Sequence, residues 1–542
     1  MTPTETPTDP QPQPWHRMAP RLGSDAEFAA VRGMLAQCGF TQERVFERLG
    51  IAGAGEYKPV WLGGSNLPEA KDALDALILL LMDGDYVAGE ALARLLPASA
   101  VEQLEALRLI GRDPQNPEKW FGGCTLFPTR GLLLASDRAS SPDGARHPSS
   151  ADMVYPPAID TTAVFMSTLP ETPCDALLDL CTGSGVAALD FARYARHAWG
   201  TDIAARSVQF AEFNRRLNGV QNATMLQGDL YAPVEGLTFD RIVAHPPYVP
   251  VRKNELIFRD GGEDGEQILR RIVEDVPRFL RPGGRFYTMV TAADCEDQAF
   301  EDRLRLWLGP HAAEFDLVLV AHTERRPRDV AVDSFLGGNT SAGDIRYRHE
   351  MWERRKTKSL FHGRVLMRRQ PLAGRHCASG AEACPNEPGS PIKRLPGAAA
   401  RPAFTQRVLR GQGFTQAHVE WLLEWGTAAH DAASREQLME LHPRLSPHAE
   451  LGVIHRVRNG RFAPEGFSLR CKRPFDAERT LPPWLAQIVA QCDGRTSWQG
   501  QLENAWNAGL VSREMTAAEF LSVLEPLVSR ALLWVAEKPL PG

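Results

Sequence analysis

Between residues 155 and 370 the sequence alternates short apolar runs with amphipathic stretches, and this alternation constrains the fold more than any other feature. A strand-like run followed by a helix, repeated several times, is typical of a parallel sheet with helical crossovers. Five runs predict strands, at 175–181, 197–203, 239–245, 284–290 and 315–322. The sequence therefore predicts an α/β fold with a doubly wound sheet.

The regions on either side of this core have other patterns. Residues 1–23 are rich in proline and lack periodicity, which predicts a disordered leader. Residues 24–140 show helical spacing followed by apolar runs broken by Gly and Pro, an order that resembles a winged helix. The core is assigned to 150–370. Proline, glycine and alanine at 371–403 predict a linker, and 404–542 predicts a mostly helical, winged-helix-like C-terminal domain.

Composition excludes several classes of protein. The 542 residues carry a formal net charge of -6, which gives no general attraction to nucleic acid or to anionic membranes. None of the nine cysteines forms a Cys-x-x-Cys pair, so neither a zinc site nor a disulfide framework is indicated and no metal is expected. The longest apolar run, at 76–82, is far too short to cross a bilayer. We expect a soluble, cytoplasmic protein.

The run LLDLCTGSGVAAL at 177–189 predicts a glycine turn between a strand and a helix. Gly183 and Gly185 allow the backbone to turn tightly and to approach a ligand. Ala188 stands where a dinucleotide-binding motif has its third glycine, and Asp179 would repel a pyrophosphate. Asp179 suits instead a ligand that carries an amine.

Two further acids follow predicted strands. Asp202 ends the second strand, where a carboxylate can accept both hydroxyls of a ribose. Asp229 ends another strand, where it can meet an adenine amino group. Together with Asp179 and the glycine turn, these acids point to an adenosine that carries an amino acid, which is S-adenosylmethionine.

These motifs resemble a known family. The run DLCTGSG at 179–185, the stretch VYPPAIDTTAVF at 154–165 and the segment 258–287 are similar to class I methyltransferases of the small-domain group, most of all to the glutamine N-methyltransferases of peptide-chain release factors. The resemblance covers residues 150–300 and implies a Rossmann-like methyltransferase sheet. No comparable match is seen for the linker or the C-terminal domain.

The resemblance also implies roles for single residues. Gly183 and Gly185 would wrap the methionine part of S-adenosylmethionine, and Thr182, which precedes Gly183, would also belong to the cofactor site. Asp202 would hold the ribose and Asp229 the adenine, while Asp179 precedes the turn. Cys181 departs from the family, which has a glycine at this place.

The family's catalytic motif is Asn-Pro-Pro-Tyr, and this chain has His245, Pro246, Pro247 and Tyr248. An amide nitrogen is a poor nucleophile because its lone pair is delocalised. Hydrogen bonds from its N–H groups to the first residue and to the first proline carbonyl localise that lone pair and aim the nitrogen at the methyl group. The prolines fix the loop, and the tyrosine ring stacks on the planar acceptor.

His245 leaves three interpretations open. A neutral imidazole can accept a hydrogen bond in place of asparagine, it can act as a general base, or methyl transfer has been lost and a non-catalytic cofactor-binding scaffold remains. The leading hypothesis is methylation of a protein glutamine or a similar amide. The alternatives are a base amino group in RNA or DNA and a small molecule with His245 as base. Residues 321–370, with twelve Lys or Arg against six Asp or Glu, favour the nucleic acid.

Overall fold

The computed structural model describes residues 19–57, 67, 69–138, 150–157, 160–253, 255–336, 341–371 and 401–536. Most of the predicted leader, at 1–18, and most of the predicted linker, at 372–400, lie outside the described residues. The chain divides into two compact units. The first comprises the described residues within Met1–Met166, Asp175–Gly236 and Asn254–Asp260, and the second those within Ser167–Cys174, Leu237–Lys253 and Gly261–Gly542.

The first unit begins with short helices and two small sheets. Its helices are α1 (Asp25–Gln37), α2 (Gln42–Leu49), α3 (Ala73–Leu77), α4 (Gly89–Leu95), α5 (Ala98–Ala106), α6 (Asp160–Met166), α7 (Val186–Phe191) and α8 (Ala205–Leu217). Its strands are β1 (Val87–Ala88), β2 (Ile110–Arg112), β3 (Lys119–Gly122), β4 (Thr125–Thr129), β5 (Leu132–Ser136), β6 (Cys174–Leu180), β7 (Ala195–Asp202) and β8 (Ala223–Gln227). Strands β1, β3 and β2 form one small sheet, and β4 pairs with β5 in a hairpin.

Local sequence explains where α1 begins and which face it buries. Ser24 accepts a hydrogen bond from the backbone N–H of Glu27, and the Glu27 side chain accepts one from the backbone N–H of Ser24, which is a capping box. Phe28 and Leu35 are buried on one face, and the Phe28 ring packs edge-on against Phe213 of α8 at 5.1 Å between ring centroids. The N-terminal helices therefore share a core with α8.

Asn214 of α8 ties the β4–β5 hairpin to the glycine turn. Its side chain is fully buried, accepts a hydrogen bond from the backbone N–H of Ala135 at 2.7 Å, and donates to the carbonyl oxygens of Ala135 at 3.0 Å and Ser184 at 2.9 Å. Since a buried amide without partners is costly, these three bonds fix the position of Ser184 inside the turn.

The first unit also contains three neighbouring strands of a sheet, in the order β6–β7–β8. Strand β7 pairs in parallel with β8, with Gly200 opposite Met225. Strand β6 is buried from Ala176 to Leu180, and α7 and α8 connect the three strands. This is the strand–helix–strand alternation that the sequence predicts.

The second unit contains a large sheet of five strands, in the order β13–β11–β12–β10–β9. These are β9 (Phe239–Ala244), β10 (Leu280–Cys295), β11 (Phe315–Arg325), β12 (Thr357–Arg369) and β13 (Thr405–Leu409). Helices α9 (Gln267–Phe279), α10 (Phe300–Leu308), α11 (Pro327–Leu336) and α12 (Ala342–Arg354) connect them. Strand β12 is antiparallel to β10 and β11, whereas β9 is parallel to β10 and β11 to β13.

The remainder of the second unit is helical with small sheets. Its helices are α13 (Gln416–His430), α14 (Ala432–Met439), α15 (Pro483–Ala490), α16 (Trp498–Asn507) and α17 (Ala517–Val528). Its strands are β14 (His442–Leu445), β15 (Ala449–Arg458), β16 (Arg461–Cys471), β17 (Ala477–Leu481) and β18 (Leu533–Ala536). Strands β15, β16 and β17 form an antiparallel sheet, and β14 pairs with β18.

The predicted α/β fold with a mostly parallel central sheet is confirmed. All five predicted strands are present, at β6, β7, β9, β10 and β11. The domain boundaries and the winged-helix likenesses stay predictions, with one difference: β13 follows the predicted start of the C-terminal domain at residue 404, yet it extends the large sheet beside β11. Within the described ranges, no helix combines the length and the apolarity that crossing a bilayer requires.

Candidate functional site

The glycine turn after β6 is built from left-handed backbone. Cys181, Gly183 and Gly185 have φ angles of 57°, 56° and 83°. This region is nearly free of cost for glycine, but it costs other residues about 1–2 kcal/mol. Cys181 therefore adopts the left-handed conformation that favours a glycine at this place, where the resembled family has one. The turn is formed here with a cysteine instead of that glycine.

The two glycines of the turn serve different ends. A Cβ built on Gly183 would meet no atom within 4 Å, so the backbone is open at this point. A Cβ on Gly185 would lie 3.0 Å from the Cβ of Ala211 in α8, which is tight packing. Gly183 therefore leaves the room that a ligand needs, while Gly185 lets the turn lie against α8.

Asp179 lies inside the turn. The side chain is buried, and its Oδ2 accepts hydrogen bonds from the Thr182 hydroxyl at 2.5 Å and from the Ala188 backbone N–H at 3.1 Å. Burial raises the pKa of Asp179 to about 7, and the two hydrogen bonds oppose the rise. The structure thus shows Asp179 and Thr182 bracing the turn, and their roles toward a cofactor stay predictions.

Asp202 joins the turn to the end of β7. Its Oδ2 accepts a hydrogen bond from the Gly183 backbone N–H at 2.9 Å, and its Oδ1 accepts one from the Ala204 N–H at 3.0 Å. Burial raises the pKa of this carboxyl, and hydrogen bonds from Ala204, Gly183 and Ser207 oppose the rise. The structure brings Asp202 to Gly183, as the predicted site requires.

Asp229 is exposed and lies two residues after β8. The preceding residue, Gly228, donates its backbone N–H to the carbonyl oxygen of Asp202 at 2.9 Å. The segment that carries Asp229 is therefore fixed to the end of β7 beside Asp202. Its predicted role at the adenine stays a prediction.

Asp202→Ala is expected to weaken binding of S-adenosylmethionine by about 10- to 100-fold, because the carboxylate would hold the ribose. Isothermal titration of the purified full chain measures the dissociation constant. Asp175→Asn, at the exposed start of β6, is the matched control that removes one carboxylate elsewhere. Unchanged affinity in Asp202→Ala, with an unchanged circular dichroism spectrum, would remove Asp202 from the cofactor site.

The His-Pro-Pro-Tyr motif follows directly after β9. The His245 and Tyr248 rings are nearly parallel, with 6.2 Å between centroids. The loop continues to Val249, whose carbonyl oxygen accepts a hydrogen bond from the Gly261 N–H at 2.9 Å. Two residues later, the Val251 N–H donates to the Gly262 carbonyl oxygen at 3.0 Å. The segment directly after the motif is therefore held by backbone hydrogen bonds to Gly261 and Gly262.

Two histidines from other strands complete the surroundings of the motif. The His362 ring of β12 lies 6.3 Å from the Tyr248 ring, and the His322 ring of β11 lies 5.8 Å from His362. His362 also shares a hydrogen bond of 3.1 Å with the Thr291 hydroxyl. Neither histidine was predicted as part of the site. They are brought together by a bulge where β11 pairs with β12, and this bulge has no local signal in the sequence.

All three histidines are neutral at physiological pH. Burial, and then the charge of His362, lowers the pKa of His245 to about 4. Burial, followed by the charges of Arg364, His362 and Arg410, lowers the pKa of His322 to about 3, and burial also lowers that of His362. An unprotonated His245 has one ring nitrogen that accepts a hydrogen bond.

Part of the positive charge of the predicted basic segment at 321–370 is neutralised by ion pairs within the fold. Arg355 bonds Glu266 at 3.2 Å, Arg368 bonds Asp316 at 2.8 Å, and Arg369 bonds Glu314 at 2.8 Å. These guanidinium groups are paired with carboxylates of the protein and are therefore less available to the phosphates of a nucleic acid. Nucleic-acid binding by this segment stays a prediction.

Comparison with known proteins places this geometry in a family. The family model "Methyltransferase small domain" matches residues 158–305. A Methanocaldococcus jannaschii protein provisionally named a protein N5-glutamine methyltransferase is 33% identical, over 24% of this chain and 68% of that protein. The chain belongs to the small-domain methyltransferases.

Two other relatives of this small-domain methyltransferase carry substrate names. The release factor glutamine methyltransferase of Moorella thermoacetica is 36% identical, over 25% of this chain and 55% of that protein. The ribosomal protein uL3 glutamine methyltransferase of Bradyrhizobium diazoefficiens is 32% identical, over 28% and 51%. These identities confirm the predicted resemblance to glutamine methyltransferases. The chain spans about half the length of these two relatives.

Within the described ranges, this methyltransferase has no group of three His, Cys, Asp or Glu side chains arranged to hold a metal ion. Its chemical groups at the motif are a neutral imidazole, a phenol and a rigid pair of prolines. Such groups can orient a planar acceptor through hydrogen bonding and stacking.

Proposed function

We propose that this chain transfers the methyl group of S-adenosylmethionine to the side-chain amide nitrogen of a glutamine in a protein. The observation that carries the proposal is the position of His245 at the head of a Pro-Pro-Tyr loop, directly after β9, with its ring nearly parallel to that of Tyr248. Burial lowers the pKa of this imidazole to about 4, which favours its unprotonated form. The names of the relatives support a glutamine acceptor.

S-adenosylmethionine supplies a methyl group on a positively charged sulfur, which is already a strong electrophile. Gly183 and Gly185 would hold the methionine part, Asp202 the ribose hydroxyls and Asp229 the adenine amino group. The open backbone at Gly183 and the carboxylate of Asp202 beside it support this arrangement. A class I family member is expected to use this cofactor.

His245 would accept a hydrogen bond from the acceptor amide N–H, and the Pro246 carbonyl would accept the second. These two bonds localise the nitrogen lone pair and aim it for in-line attack. Tyr248 would stack on the amide plane. A histidine with a pKa of about 4 is a weak general base at neutral pH, so its low basicity favours the acceptor role over the base role.

The proton balance of the step is simple. The nitrogen forms a bond to the methyl carbon, the carbon–sulfur bond breaks, and its electron pair stays on sulfur. The nitrogen then loses one proton, and because an N-protonated amide is a very strong acid, either water or His245 can take that proton. No base is needed before attack.

A label-transfer assay tests the proposal. The purified chain is incubated with methyl-labelled S-adenosylmethionine and an extract of cells that lack it, and the products are divided by protease and nuclease sensitivity. We expect label in protease-sensitive material, and mass spectrometry should locate it on glutamine. Label lost to nuclease would replace the proposal with base methylation. Label in a small molecule, or no transfer while the cofactor binds, would support the small-molecule or scaffold alternatives.

A further inference from the structure

Arg364 of β12 is a buried arginine with neutral partners. Only 5% of its surface is exposed. Its Nε donates to His322 Nε2 at 2.9 Å, and its Nη1 donates to Gln416 Oε1 at 3.3 Å. The guanidinium also lies over the Phe414 ring at 5.0 Å. Its other terminal nitrogen, Nη2, makes no hydrogen bond within the described part of the chain.

Other buried arginines of this protein are compensated differently. Arg303 and Arg368 each bond a buried carboxylate, Arg303 through Glu266 and Arg368 through Asp316. Arg241 donates to the backbone carbonyl oxygens of Pro170 and Thr172. A buried charge is costly unless it is paired, so the neutral surroundings of Arg364 are out of keeping with the rest of the molecule.

The carboxylate of Glu420, one turn along α13 from Gln416, forms no direct hydrogen bond or ion pair with Arg364. It lies 3.3 Å from the Arg285 guanidinium and accepts hydrogen bonds from the Tyr287 hydroxyl at 2.7 Å and from Gln416 Nε2 at 3.2 Å. Gln416 therefore stands between Arg364 and this carboxylate. Burial, together with the charge of Arg410, lowers the pKa of Arg364 to about 9. No anion among the described residues offsets this effect, and the group still carries its charge at neutral pH.

Arg410 adds a second positive charge at the same place. It follows β13, and its backbone N–H donates to the Ala321 carbonyl at 2.7 Å, next to His322. Its side chain is exposed and forms no ion pair within the described ranges. The charge of Arg410 lowers the pKa of both Arg364 and His322, in keeping with the position of its backbone beside β11 next to His322.

The cluster formed by Arg364, Arg410 and His322 adjoins the acceptor motif. His362 and Arg364 stand two residues apart on β12, so their side chains lie on one face of the sheet. His362 contacts Tyr248 of the motif, and His322 contacts both His362 and Arg364. The lowered pKa values of His322 and His362 favour their neutral forms, so the two arginines supply the positive charge of this cluster.

We propose that Arg364 and Arg410 bind a carboxylate of the polypeptide substrate, an Asp or Glu close to the methylated glutamine. A guanidinium matches a carboxylate in geometry and charge, and a buried guanidinium with a free terminal N–H is set up for such a bond. The identity of the ligand as a polypeptide rests on the proposed glutamine methylation. A phosphate has similar chemistry and is distinguished by the experiment.

The first arm of the test measures binding without turnover. The thermal midpoint of the full chain is compared in sodium glutarate, sodium phosphate and sodium chloride at equal ionic strength. Glutarate should raise the midpoint of the wild type and of Arg461→Ala, a control that removes an exposed arginine of β16. It should not raise that of Arg410→Ala. A midpoint raised by phosphate alone, or by glutarate no more than by chloride, would overturn the carboxylate assignment.

The second arm uses peptides around the glutamine that the label-transfer assay identifies, each acidic residue being replaced in turn by its amide. One Asp→Asn or Glu→Gln change should raise KM about tenfold or more in the wild type and in Arg461→Ala, and should have little effect in Arg410→Ala. Equal KM values for all peptides in the wild type would overturn the inference. Absence of transfer to any peptide would instead count against the proposed function, and the first arm alone would then decide the anion site.

Discussion

Replacing His245 with alanine should lower kcat about a hundredfold or more, whereas His245→Asn should retain measurable activity. Alanine removes the hydrogen-bond acceptor at the head of the Pro-Pro-Tyr loop and leaves the amide lone pair delocalised. Asparagine restores an acceptor oxygen at that place, as in the motif of the resembled family. The binding constant for S-adenosylmethionine should stay the same in both variants, since the proposed cofactor site is formed by Asp202 and the glycine turn rather than by His245.

The measurement is kcat and KM on an identified peptide, with the cofactor affinity determined by titration. If His245→Asn loses activity as completely as His245→Ala while the cofactor still binds, the imidazole acts as a base and the acceptor role is wrong. A polar substitution of a surface histidine, His455→Asn on β15, is the matched control.

The pH profile gives an independent check of the same assignment. The active form of His245 is unprotonated, and its pKa of about 4 lies below the usual 6.5. Activity should therefore stay level as pH falls from 8 to about 5 and should decline only as pH approaches about 4. A decline centred near the usual histidine pKa would show that a solvated imidazole controls the step.

The parts of the fold that the sequence predicts are those with continuous local signals. Strands β6, β9 and β11 are near-continuous apolar runs, as expected for strands buried on both faces. The glycine turn is likewise local, since Gly183 and Gly185 stand directly between β6 and α7. Such signals lie within a few residues of the structure that they specify.

The strands that the sequence analysis missed have weaker signals. Strand β12 carries charged residues at Arg364, Arg368 and Arg369, which read as a basic surface although the first two are buried. Strand β13 has five residues, of which only Val408 is buried. Both strands are held by pairing with β11, and that partner lies far away in sequence.

The site was predictable as a set of motifs but not as an electrostatic environment. His362 of β12 lies beside Tyr248, and His322 of β11 lies beside His362 at a β-bulge between Ala321 and Thr323. Burial decides that the histidines are neutral, and burial is a property of the whole fold. The surroundings of Asp179 could not be predicted from the sequence either. Its position before the glycine turn indicated a ligand, whereas in the structure its hydrogen bonds are made with Thr182 and Ala188.

Asp179→Asn should stabilise the protein relative to the wild type, and the gain should grow as pH rises. The pKa of Asp179 is about 7 in the folded chain and 3.8 in an ordinary aspartate, so between these values the folded chain holds a proton that the unfolded chain has released. Wild-type stability therefore falls as pH rises through this window, by about 2–3 kcal/mol between pH 5 and pH 8. Asparagine has no proton to lose, and its Oδ1 can accept the bonds from Thr182 and Ala188.

Urea unfolding at the two pH values, without cofactor, measures this difference, with Asp175→Asn as the exposed control on the same strand. A free-energy difference between Asp179→Asn and wild type that is equal at pH 5 and pH 8 would contradict a raised pKa.

Binding of the cofactor at different pH values then distinguishes the bracing role of Asp179 from a binding role. If Asp179 also meets the amine of S-adenosylmethionine, its ionised form binds better, so wild-type affinity should rise through about pH 7 whereas that of Asp179→Asn should not. An affinity in the wild type that does not change through this range leaves Asp179 with the turn alone, because a carboxylate that touches the amine cannot bind it equally well with and without its charge.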